Sequence, residues 1–179
     1  MIKDKNMTTG SEWKEILLFS LPLMLGQILQ QFYNTVDGIV VGNFATNSQE
    51  ANEIALAAVG GGFPLIMLYL SICIGLVNGG SVQISQLYGA GQLEKLRRAA
   101  STQIITLGIL GLALSVIGYV SARPMITSFL RYTHPVMIEQ GVDYYSIFAL
   151  GLIFVYVYNC IAGTLRAIGD SKASMYLLI

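Results

Sequence analysis

One carboxylate, Asp37, stands inside the otherwise uncharged stretch Ile16 to Val41, and three amides precede it at helical spacing, Gln27, Gln30 and Asn34. On a 3.6-residue period these four fall within one quadrant of a helix, which Leu23 shares, while Leu25, Phe32, Val36 and Val40 spread over the rest. An Asp at the centre of a membrane-spanning helix costs roughly 2.5 to 3.5 kcal/mol, so such a residue faces a cavity or a partner and not lipid. The stripe therefore reads as the lining of a water-filled pathway. Asp37 would hold an exchangeable proton or a cation, Na⁺ included, with Tyr33 and Asn34 one turn away as hydrogen-bond partners. The competing reading is an interface anchor, because Asp37 lies only about five residues, about 7 Å, from the end of the apolar segment.

The other groups capable of chemistry are few. His134 is the single histidine, and the apolar segments offer one carboxylate and no histidine, which is less than intramembrane hydrolysis requires. Cys73 and Cys160 both sit in apolar runs without metal-ligand spacing and read as core packing, so no metal site or cofactor is expected.

What must position Asp37 is a membrane-embedded helical bundle. Of 179 residues, 54% are hydrophobic and 11% charged, against about 25% charged in an ordinary soluble domain. The fold class expected is an all-α, polytopic integral membrane protein whose first partner is the lipid bilayer. The net charge of zero gives no basic surface for nucleic acid.

A polar lead, residues 1–15, carries Trp13 as an interfacial aromatic, and the apolar run after it is too long for a signal-peptide core. Helices are expected at about 16–42, 54–86, 99–120 and 142–165, with the start of a fifth at 173–179 that reads as cut short. Pro22 should kink or hinge the first, and Pro64, after Gly60, Gly61 and Gly62, should bend or break the second. No charge occurs from Ile54 to Leu93 over 40 positions, which admits one span or two. One span places Lys3, Lys5, Lys14, Lys95, Arg97, Arg98, Arg166 and Lys172 on one side and Arg123 and Arg131 on the other, the asymmetry of a cytoplasmic amino terminus. Residues 89–98, GAGQLEKLRR, then form a cytoplasmic basic loop, and 121–140, with Pro124 and Pro135, an outer loop. Gly75 and Gly79 read as a helix-packing pair, and Asn159 as an amide bonded to a neighbouring helix and lining the cavity. No internal repeat is visible.

The run LPLMLGQILQQFYNTVDGIVVGNF, followed by ALAAVG and FP, resembles the first two helices of the multidrug and toxic compound extrusion (MATE) transporters. GGSVQISQLYGAGQLEKLRRAA and LRAIGDSK agree with that family at its spacing, and the likeness covers nearly the whole chain. The resemblance implies a twelve-helix transporter in two lobes, of which this chain is a partial amino-terminal lobe lacking the carboxy-terminal helices. It implies export of small organic, often cationic, substrates across the cytoplasmic membrane against H⁺ or Na⁺ entry, with Asp37 as the cation or proton site. The alternatives are a flippase for lipid-linked or polysaccharide precursors, whose cavity would carry several cations, and a short membrane protein with an assembly or regulatory role.

Overall fold

A computed structural model describes residues 11–44, 49–129 and 135–178. The described chain is helical: α1 (Glu12–Phe44), α2 (Gln49–Gly89), α3 (Leu93–Phe129), α4 (Pro135–Ala167) and α5 (Ser171–Leu178). The first four are long and apolar enough to cross a membrane, so the chain is an all-α, multi-pass membrane protein. At 1.5 Å per residue the 41 residues of α2 extend about 60 Å, twice a bilayer's hydrocarbon core of about 30 Å. The uncharged stretch from Ile54 thus forms one continuous helix.

The core lies where α2, α3 and α4 meet. Lipid tails are as apolar as leucine, so close packing and interhelical hydrogen bonds must hold such helices together. Both devices are present. The buried Tyr156 hydroxyl on α4 donates to the Tyr69 carbonyl on α2 at 2.7 Å. The rings of Tyr69 and Tyr145 lie 6.3 Å apart, and their hydroxyls reach the Met125 sulfur of α3 at 3.8 and 3.4 Å. Missing side chains supply the close approach: a methyl at Gly111 of α3 would meet Tyr156 Cβ at 3.0 Å and Ile153 Cα at 3.1 Å, and one at Gly118 would meet Ala149 Cβ at 3.1 Å. Cys73 and Cys160 are buried in this core as free thiols.

Two sharp turns set the remaining helices. Gly91 and Gly169 have positive φ, 68° and 87°, which glycine adopts without steric cost. Each closes a Schellman motif. Gly91 N–H bonds Tyr88 O and Gln92 N–H bonds Leu87 O, while Gly169 N–H bonds Arg166 O and Asp170 N–H bonds Leu165 O. Asp170 then caps α5, its Oδ1 accepting from Ala173 N at 2.9 Å, as an N-cap aspartate should. The turn folds α5 back against α4 and α1.

Several sequence expectations need correction. Neither Pro64 nor the triple glycine breaks α2, which runs unbroken through both. The cluster Lys95, Arg97 and Arg98 lies on the first turns of α3, not in a loop. The expected outer loop 121–140 is mostly helix, since α3 continues through Arg123 and Pro124 to Phe129 and α4 opens with Pro135 as its first residue, a position that needs no N–H partner. Pro124 leaves the Val120 carbonyl without its helical N–H donor, and on either side Ser121 donates to Ile117 O at 2.6 Å and Thr127 to Arg123 O at 2.9 Å. Among the described residues nothing packs on Gly75 and Gly79; Gly80, Gly111, Gly118 and Gly163 make the close approaches there. His134 lies outside the described residues.

Candidate functional site

Helix α1 stands at the edge of the bundle, touching α5 and α2 and contributing nothing to the buried α2–α4 core. Pro22 lies within it and does not interrupt it. Its side chains divide into two kinds. Ser20, Thr35 and Asn43 bond back onto their own helix, at Leu17 O (3.1 Å), Gln31 O (2.9 Å) and Ile39 O (2.8 Å), a local device that needs no outside partner. Gln27, Gln30, Asn34 and Asp37 do not: they are exposed, and none forms a hydrogen bond to a described residue. The four groups that the helical period places on one stripe thus keep donors and acceptors to offer, as do Gln31 and Tyr33 beside them.

At one end of the stripe the Asp37 carboxylate comes within electrostatic range of the Tyr144 hydroxyl, near the start of α4. Gly42, a turn further on, approaches Leu56 of α2, whose Cδ2 would lie 3.5 Å from a methyl there. Tyr33 is 64% exposed, and neither it nor Asn34 forms a hydrogen bond to Asp37 among the described residues.

At the other end, Gln27 enters a cavity of about 200 Å³ with Pro22, Leu23 and Gly26 of α1, Tyr158 and Arg166 of α4, and Ser174 and Met175 of α5. Gln27 and Pro22 were expected from sequence, as pathway lining and as kink or hinge; Tyr144, Tyr158, Arg166 and Ser174 were not singled out as part of a site. Arg166 carried a signal, since a cation closing an apolar segment must be hydrated or paired, but nothing in one dimension shows that α1 covers it.

Asn159 departs from expectation. Its Nδ2 donates to Val155 O of its own helix at 2.8 Å, and it bonds no other helix among the described residues. Pro64, the second expected hinge or kink, is exposed on α2. Among the described residues no group of three or more His, Cys, Asp or Glu side chains could hold a metal ion. Asp37 is one carboxylate on an exposed stripe, a group able to exchange a proton or balance a monovalent cation once other residues enclose it.

A family model described as MatE matches residues 22–179. Among curated proteins, the chain is similar to a "Probable multidrug resistance protein YoeA" of Bacillus subtilis, 32% identical over 169 residues, covering 94% of this chain and 35% of that protein. It is also similar to a "Probable multidrug resistance protein YpnP" of the same organism, 28% identical over 97% of this chain and 37% of that protein. A third relative is a "Multidrug export protein MepA" of Staphylococcus haemolyticus, 28% identical over 93% of this chain and 35% of that protein. The chain spans about a third of the length of these relatives. No solved structure matches with significance.

Proposed function

The chain belongs to the MatE family, and from that premise we propose that it serves secondary-active multidrug efflux, a drug:H⁺ or drug:Na⁺ antiport, as the amino-terminal part of the transporting unit. The relatives' names, multidrug resistance and multidrug export proteins, support the substrate class. The observation that carries the site is the α1 stripe, in which Asp37 and three amides stand unsatisfied on a helix that the α2–α4 core leaves uncovered.

In this reading the stripe faces a hydrated cleft completed by helices beyond those described. Asp37 is neutralised either by a proton or by Na⁺, and the two compete for one carboxylate. Inward and outward release then follow from rocking of one lobe against another, since alternating access needs two bodies around a shared site. The membrane is the cytoplasmic one, and the amino terminus, with Lys95, Arg97, Arg98 and Arg166, lies inside. Small organic cations are the expected cargo, attracted by the same negative site.

The test is efflux of a fluorescent organic cation from vesicles carrying the longer protein under an imposed pH or Na⁺ gradient. Antiport predicts export that stops when the gradient is collapsed and resumes when it is restored. Export indifferent to both ions would overturn the antiport reading.

A further inference from the structure

The cavity between α1, α4 and α5 has a chemistry opposite to that of Asp37. Its polar lining is Gln27, Tyr158, Arg166 and Ser174, an amide, two hydroxyls and a guanidinium, with no carboxylate among them. Arg166 is half-buried, interacts electrostatically with Tyr158 and makes no ion pair or hydrogen bond with a described residue. The nearby acid, Asp170, is engaged in capping α5. Ser174 is 4% exposed, and its hydroxyl has no partner among the described residues.

Arg166 stands at the carboxy-terminal end of α4, whose apolar span closes at Ala167, and it shares the cavity with Pro22 and Gln27 of α1. A half-buried cation in this position calls for hydration or a counter-ion. The space of about 200 Å³ equals roughly six waters at about 30 Å³ each, enough for a phosphate group and its hydration. A guanidinium presents a planar fork of donors matched to phosphate oxygens, and the hydroxyls and amide add neutral donors around it.

We propose that this cavity is an anion site that takes a phosphate group, with Arg166 as the charged ligand and Tyr158, Ser174 and Gln27 as neutral donors. The phosphate comes either from an anionic lipid headgroup entering between α1 and α5 or from free phosphate in the aqueous phase. Occupation would tie α1, otherwise loosely held, to α4 and α5.

The purified chain in detergent provides the test, with fluorescent phosphatidylglycerol and radiolabelled inorganic phosphate as probes and diacylglycerol as a competitor without phosphate. Saturable binding of one or both probes is expected, with no displacement by diacylglycerol. Arg166→Gln should weaken binding about tenfold or more, as expected for loss of a charged hydrogen-bond donor, and Arg166→Lys should weaken it less. Arg97→Gln, a change on the exposed start of α3, should leave binding unaltered. Lipid bound without inorganic phosphate identifies the headgroup as source; the reverse identifies free anion. Should Arg166→Gln fail to fold, Tyr158→Phe and Ser174→Ala carry the same comparison, each expected to weaken binding severalfold. Binding of neither probe, displacement by diacylglycerol, or loss in Arg97→Gln equal to that in Arg166→Gln would overturn the proposal.

Discussion

One close approach between α2 and α4 depends on an absent methyl. A Cβ at Gly163 would collide with Cγ1 of Val77 and press on Ser81 Oγ at 3.2 Å, and Val77 is 2% exposed, with no room to retreat. Gly163→Ala should therefore cost about 1 to 3 kcal/mol, the usual penalty for overpacking. Val77→Ala removes two methyl groups, about 1.6 kcal/mol at about 0.8 kcal/mol per buried group, less where lipid replaces water in the unfolded state. Independent effects would sum to about 3 kcal/mol. In the double variant, however, the new methyl occupies space that the valine vacates, so its loss should resemble that of one single change, a coupling of about 1 to 2 kcal/mol. Unfolding of the purified chain in mixed micelles, followed by helical circular dichroism, measures all four species. Gly75→Ala is the control, since nothing lies within 4 Å of that position; it should be neutral or slightly stabilising through helix propensity. Additivity of the Gly163 and Val77 changes to within about 0.5 kcal/mol would refute the contact.

Tyr156→Phe deletes the bond to the Tyr69 carbonyl and should destabilise by about 0.6 to 1.7 kcal/mol in the same unfolding assay, the range of interhelical hydrogen bonds in membranes. Gly169→Ala forces a side chain into φ 87° and should cost about 1 to 2 kcal/mol, loosening α5 as read by faster proteolysis after Arg166. Cysteines introduced at Gln49 and Lys95 should label from outside and inside the cell respectively; labelling of position 95 from outside would reverse the orientation. A polypeptide of residues 1–179 alone should not export drug from vesicles, because its α1 stripe has no second lobe to enclose it; ion-driven export by that piece would contradict the two-lobe reading.

The long helices were legible because their apolar runs exceed what a bilayer needs, and the Asp37 stripe because a 3.6-residue period fixes which side chains share a face. Boundaries were less so. Pro124 and Pro135 look like loop signals one at a time, yet the first is carried within α3 among hydroxyl-to-backbone bonds and the second sits where a helix start accepts it. Pairwise facts were beyond reach: a GxxxG spacing at Gly75 and Gly79 does not say which helix approaches, and Gly111, Gly118 and Gly163 do the close packing without such a motif. Asn159 could satisfy itself or a neighbour, and only the rotamer decides. Arg166 reads as one more cytoplasmic cation, and its place in a cavity with residues of α1 and α5 has no signal in one dimension. The glycine turns were readable in place, at GAG and IGD, but not in consequence, since it is the geometry of the Gly169 turn that folds α5 back against α4 and α1.

The central claim is that Asp37 exchanges a cation or proton in the cycle and is more than an anchor at the membrane surface. Asp37→Asn keeps the size of the side chain and removes its exchangeable charge. In the longer protein, reconstituted at matched amounts under a measured H⁺ or Na⁺ gradient, the account predicts normal insertion and loss of ion-driven drug efflux. An interface anchor would tolerate Asn and Glu alike, so wild-type efflux by well-inserted Asp37→Asn would contradict the account.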